Sequence, residues 1–177
     1  RLSAEAVDLL RACSEAIRAN DPDAIIISAG LAPTGDWLPT AIPDTDYLRM
    51  MYAAGAADWF DVLGLNAPGY KYPPETSPEQ SAEMHGGHRW FVFRHVEDMR
   101  AIMVEQGDAH KQIAILEMGW TLDPRPDSPY HWHAVTPEQQ AAYLVDAYRY
   151  AAEHWRPWVG LMTTIFIADI SWTEDNE

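Results

Sequence analysis

Apolar positions along the chain switch between two periods. Leu10, Cys13 and Ile17 recur at helical spacing behind Ser3, a candidate N-cap. Asn20-Asp21-Pro22 ends that run, because proline lacks an N–H and restricts the residue before it. Cys13 lies on the predicted apolar face and is expected to be a buried, inert thiol. Residues 24–29 form a short continuous apolar run, the pattern of a strand covered on both faces. Residues 30–43 read as a loop, with three prolines and two glycines. The spacing of Leu48, Met51 and Tyr52 predicts a helix over 44–57, and residues 60–66 the next strand. Residues 67–94 are rich in Pro, Gly, Glu and His and read as a long loop. A helix carrying Val96, Met99 and Met103 on one face stops at Gly107. Residues 112–117 are a third strand and 118–135 a third long loop. Thr136-Pro137-Glu138-Gln139 has the chemistry of a helix start: a capping hydroxyl, proline in the first turn and a glutamine to close the box. That helix turns Leu144, Ala147 and Ala151 inward and ends near Pro157, before a last strand over 159–168.

The order is α-β-α-β-α-β-α-β, with long loops after the strands. Alternating βα units predict a parallel sheet with helix-covered faces. A doubly wound sheet and a (β/α)8 barrel both fit that rhythm. No Gly-x-Gly-x-x-Gly or Walker-type loop follows a strand, which removes the usual case for a nucleotide site. Polar and aromatic residues gather at strand C-terminal ends, where barrel active sites sit. A barrel takes about 250 residues, and four strands are half of one. The chain begins at Arg1 and is expected to be a single domain, residues 1–177, cut from something longer. Localisation therefore stays open.

Charge narrows the partners. Twelve Lys+Arg against 27 Asp+Glu leave a formal charge of −15, which argues against nucleic acid or an anionic membrane. One cysteine excludes an internal disulfide and a Cys-based zinc cluster.

Glu117 is the sharpest chemical feature. It ends an apolar strand and is followed by Met118-Gly119-Trp120. A carboxylate there would point into the mouth of a barrel beside an indole, and indole faces pack against sugar C–H groups. The same position also suits a structural Glu paired with an arginine. Ile115-Leu116-Glu117-Met118-Gly119-Trp120-Thr121 resembles the (T/L)-E-x-G-W strand end of retaining glycoside hydrolases of clan A, the cellulase-like (β/α)8 enzymes. The resemblance implies a parallel TIM-barrel fragment, about strands five to eight with helix four at the start. It implies Glu117 as catalytic nucleophile. It places Trp172 as a sugar platform after strand eight, with Trp120, Tyr70, Asn66 and His133 lining the substrate. Asn66 stands where the clan often has His at the end of strand six, and Tyr70 comes two residues later than a His-x-Tyr pair would put it. The acid/base Glu of the clan ends strand four, before this sequence begins, so no residue here takes that role.

The implied partner is an oligo- or polysaccharide, with no cofactor and no metal. This stretch alone is expected to be a poor catalyst, and its open half-barrel edges are expected to drive self-association. Two alternatives stand beside the enzyme: a carbohydrate-binding or scaffold barrel without catalysis, and a metal-dependent hydrolase. The second would use His85-Gly86-Gly87-His88 and His131-Trp132-His133 with carboxylates. Trp37, Trp90 and Trp132 fall in strand-end loops; each alone suits packing under its own loop, but several on one face favour a sugar cleft, and Asp36 and Asp169 suit hydroxyl ligands and turn residues equally. Trp59, Trp155 and Trp158 read as packing, and Asp58 and Asp61 as strand-start residues outside the site.

Overall fold

A computed structural model describes residues 2–123 and 125–165. It is α/β, with a three-stranded parallel sheet in the order β1 (Val62–Pro68), β2 (Gln112–Gly119), β3 (Val159–Thr164). Five helices accompany it: α1 (Leu2–Asn20), α2 (Asp44–Ala53), α3 (Pro78–Met84), α4 (Val96–Glu105) and α5 (Pro137–His154). No helix among the described residues is long and apolar enough to cross a membrane.

The predicted strand over 24–29 is extended and parallel to β1 but does not form a regular ladder. It touches β1 through isolated bridges, Ile27 to Val62 and Leu31 to Leu65. The reason lies at Gly64, whose N–H is taken by the Ser28 hydroxyl at 2.9 Å instead of a backbone carbonyl. Asp61 fixes this segment at its start. Its carboxylate accepts from the Ile26 N–H at 2.8 Å and from Arg18 at 2.8 Å. The hydrogen bond from Ile26, helped by Arg18, holds the Asp61 pKa below the usual carboxylate value.

Two other predictions shift. The helix over 44–57 is cut short because Gly55 takes a left-handed φ of 84°, which glycine adopts without a Cβ penalty. A 3-10 turn, Ala56–Trp59, completes the connection. The loop over 67–94 contains α3, started by a Ser77 capping box: the Ser77 hydroxyl accepts from Gln80 N–H at 3.2 Å, and Gln80 accepts from the Ser77 N–H at 2.8 Å. The matching box at Thr136 and Gln139 starts α5 as expected, with distances of 3.2 and 2.9 Å.

The first helix is rotated relative to its predicted face. α1 starts before Ser3 and buries Ser3, Val7 and Ser14 against α2 and the 3-10 turn. Cys13 is exposed, not buried. Leu9, Cys13 and Ile17 form an open stripe, with Leu9 66% exposed.

The core lies between the helices and one face of the sheet. Leu63, Leu65, Ile113 and Ile115 meet Leu48, Met99, Ile102 and Met103, all under 3% exposed. Phe93 and Trp155 stack at 4.9 Å inside it. Trp59 and Trp158 pack on its margin, as the sequence suggests. On the opposite face, among the described residues, Ile25, Ile27 and Leu161 are 73%, 39% and 44% exposed, while Ala114 at the centre of the sheet is buried.

Candidate functional site

Over its paired length β2 carries one residue more than β1, while against β3 its extra residue is offset by one at Gly160. Leu65 pairs with Ile115, but Asn66 pairs with Glu117, so Leu116 is an extra residue. On the other side Ile115 pairs with Met162 and Met118 with Thr164, which repeats the offset. This is a β-bulge, which resets the alternation of a strand and re-aims a side chain. Ile113 and Ile115 face the core. Strict alternation would send Glu117 into that core and Met118 to the open face. The bulge reverses both: Met118 is 1% exposed and Glu117 is exposed. The Thr163 hydroxyl donates to the Leu116 carbonyl and lies 3.2 Å from that of Ile115, so it serves the groups that the bulge takes out of the ladder.

The bulge sets Glu117 beside Asn66 on adjacent strands, at their C-terminal ends. Both line a cavity of about 200 Å³, with Ala32, Pro33, Pro68, Tyr70, Met118, Gly119 and Ile165. Gly30 gives the Asn66 amide its room, since a Cβ at that position would collide with the Asn66 oxygen. Among the described residues Glu117 makes no hydrogen bond or ion pair, and the Asn66 amide makes no hydrogen bond.

Tyr70 is held under constraint. Its φ is 52°, a conformation that a bulky residue adopts only where its surroundings enforce it. Four rings enclose it. Trp132 stacks at 5.7 Å and 25°, while Trp90, Phe91 and His133 meet it edge-on at 5.6 Å each. Burial, with the charge of Asp44, raises the Tyr70 pKa above that of a free phenol, so the hydroxyl keeps its proton and can donate. His133 is half-buried, and burial lowers its pKa against the pull of Asp123, so its imidazole is neutral at pH 7. It reaches the cavity through Tyr70 and does not line it.

Trp120 is placed differently from the expectation. It is 4% exposed, its indole N–H donates to the Tyr72 carbonyl at 2.9 Å, and it packs on Phe93 and Tyr143. Gly69 lies flat on its ring with no room for a Cβ. Trp120 is thus the floor under the loop that carries Tyr70 and faces no ligand. Two strand-end indoles among the described residues are exposed: Trp132, 47%, and Trp37, 60%, whose N–H donates to Asp46 at 2.9 Å. Trp172 and Asp169 lie outside the described residues. Asp36 is exposed and lies 4.0 Å from His88.

The two histidine clusters are engaged one by one. His85 Nε2 pairs with the Tyr72 hydroxyl at 2.7 Å and its ring lies on Phe91 at 4.3 Å. His131 Nδ1 lies 3.0 Å from the Asp123 carbonyl. Among the described residues no three His, Cys, Asp or Glu converge to hold a metal.

Sequence reasoning reached Asn66, Tyr70 and Glu117, which the structure brings together. It missed Phe91 and Thr163. The spacing Ile113, Ile115, Met118 carried a signal: three buried positions at intervals of two and then three mark a strand whose alternation breaks once.

No known family profile matches the chain, and no curated relative does. A solved structure with a similar course is a β-glucuronidase from Ruminococcus gnavus in complex with D-glucuronic acid. It is 14% identical with a TM-score of 0.36, over 93% of this chain and 30% of that one. The chain therefore spans less than a third of that protein's length.

Proposed function

We propose that the chain is part of a retaining glycoside hydrolase barrel in which Glu117 is the nucleophile. One observation carries the reading: a β-bulge turns a carboxylate with no partner among the described residues out of the core and into a strand-end cavity beside Asn66 and Tyr70. Three further features support it. The extended segment over 24–31 and β1, β2, β3 lie side by side in chain order, with no switch point of the kind a doubly wound sheet requires. The exposed Ile25, Ile27 and Leu161 and the open stripe of α1 are apolar surface that further βα units would cover in a closed barrel. The aromatic wall of Tyr70, Trp90, Phe91 and Trp132 suits the C–H faces of a sugar.

In this reading Glu117 attacks the anomeric carbon and forms a glycosyl-enzyme ester while the glycosidic C–O bond breaks and the acid/base protonates the departing oxygen; water, deprotonated by the same acid/base, then hydrolyses the ester. The Tyr70 hydroxyl and the Asn66 amide donate to the substrate or to the carboxylate. A retaining pair requires a second carboxyl group about 5–5.5 Å away. Among the described residues Glu117 is the one carboxylate in the lining of this cavity, and in this reading the acid/base comes from another strand of the barrel. The stretch alone is then a poor catalyst and self-associates through its open edges. A formal charge of −15 fits a carbohydrate substrate and opposes nucleic acid or anionic membranes.

The test uses the full-length protein on a panel of aryl β-glycosides, wild type beside Glu117→Gln. The expected result is activity in the first and a loss of about a thousandfold or more in the second. Equal activity in both would remove Glu117 from the mechanism. Silence of both on the whole panel would transfer the lead to a carbohydrate-binding barrel.

A further inference from the structure

A second cavity of about 440 Å³ lies behind the aromatic wall, lined among others by Asp44, Arg49, Arg89, Trp90, His95 and Asp98. His95 is 6% exposed, and both its ring nitrogens face carboxylates: Nε2 to Asp44 at 2.8 Å, Nδ1 to Asp98 at 3.2 Å. Asp98 is in turn held by Arg89 in a two-pronged contact, 3.0 Å from Nε and 2.7 Å from Nη2. The residues that follow Arg89 are Trp90 and Phe91. They stack on each other at 3.7 Å and both press on Tyr70. Trp90 has a buried indole N–H with no partner among the described residues, so its ring is kept in place by packing and by the backbone that Arg89 anchors.

We propose that Asp44, His95, Asp98 and Arg89 form a proton-dependent clamp that holds the Trp90–Phe91 wall against Tyr70 and so sets the shape of the Glu117 cavity. An imidazolium has two N–H donors, one for each carboxylate, whereas a neutral imidazole has one. Loss of the proton therefore leaves one buried carboxylate facing a ring nitrogen that no longer donates. Asp98 also belongs to Arg89, so its displacement passes to Trp90 along the backbone.

The charged groups around His95 come from every side. Asp44 and Arg49 stand on α2, Asp98 and Glu105 on α4, and His88 and Arg89 on the loop before it. Arg49 pairs with Glu105 at 3.6 Å, His88 faces Asp36 at 4.0 Å, and Glu79 on α3 holds the far side of Arg89 at 2.7 Å. Burial disfavours the imidazolium, but the hydrogen bonds and charges of Asp44 and Asp98 outweigh it and raise the His95 pKa from 6.5 to about 9. The sign follows. The clamp is fully made below pH 6.5 and is lost as pH rises through about 9.

The use of the clamp rests on the sugar-site reading above; its existence does not. The test is fluorine NMR of the protein labelled with 5-fluorotryptophan, with Trp90→Phe assigning the Trp90 line. Wild type is titrated from about pH 6 to about pH 10.5. The expected result is one transition of the Trp90 line with a midpoint near 9, absent in His95→Gln. Arg89→Gln, which cuts the link and leaves His95 in place, is expected to abolish the movement of the line as well. A Trp90 line that stays still in wild type, or moves equally in His95→Gln and Arg89→Gln, overturns the clamp. Should His95→Gln not fold by circular dichroism, the wild-type and Arg89→Gln titrations decide alone. None of these readings depends on hydrolysis, so failure of the Glu117→Gln assay would leave the clamp standing, and the reverse also holds.

Discussion

Two cavities meet at the contact between Tyr70 and Trp90, and they treat carboxylates in opposite ways. In the His95 cavity the acids that face the imidazole, buried Asp44 and partly buried Asp98, are both committed. Asp44 and Asp98 each accept from the same imidazolium, and Asp98 takes an arginine as well. In the Glu117 cavity the polar groups are left over. Among the described residues neither the carboxylate of Glu117 nor the amide of Asn66 has a hydrogen bond, although the register sets them on adjacent strands. Charges that satisfy each other shape a fold; a strand-end carboxylate with no partner among the described residues, in a cavity that a constrained tyrosine also lines, is the one that the proposed function gives to a ligand.

The largest effect should come from breaking the committed side. Asp44→Ala removes one wall of the His95 network and leaves a buried imidazolium with a single carboxylate. Breaking a buried pair in this way costs about 3 kcal/mol or more. Urea unfolding at neutral pH should show it as a fall in midpoint with little change in slope. A change below about 0.5 kcal/mol, the range of ordinary surface substitutions, would mean that the network is not a stabilising one and that the contrast between the cavities is false.

A smaller effect should come from the bulge that separates the two behaviours. Thr163→Val keeps the shape of the side chain and removes its donor. The Leu116 and Ile115 carbonyls then depend on water, at a cost of about 1 kcal/mol. Amide exchange over residues 115–118 should quicken while that of Leu63 and Leu65 stays as it was. Unchanged exchange around Glu117 would mean that backbone pairing alone holds the bulge.

These contrasts also mark what the sequence could carry. The capping box at Thr136, the core stripe of α4 and the βα rhythm were legible because each is local. A hydroxyl three residues before a glutamine, or apolar residues at helical spacing, needs no partner from elsewhere. That Asn66, Tyr70 and Glu117 share one cavity was legible because all three lie at or just beyond strand C-terminal ends. The buried face of α1 was not, since Leu9, Cys13 and Ile17 are as apolar as the stripe that packs, and only docking on α2 chooses between them. Trp120 was misread for a related reason. Its place after Glu117 fits a sugar platform, but Gly69 admits its ring and the Tyr72 carbonyl takes its N–H, and both are long-range events. The strand over 24–29 lost its ladder to one hydroxyl, that of Ser28, which composition does not reveal.

The smallest effect is the most telling. Glu117→Gln should change stability by less than about 0.5 kcal/mol, because the carboxylate is exposed and no described residue is paired with it. Gln keeps the length and the amide can still meet water. The same substitution is the one expected to cost about a thousandfold in turnover. A residue that matters greatly to activity and hardly at all to folding is one whose bonding is reserved for a ligand. Equilibrium unfolding of the variant decides the point. A loss of about 2 kcal/mol or more would place Glu117 with Asp44 and Asp98 among the structural carboxylates, and the difference between the two cavities would disappear with it.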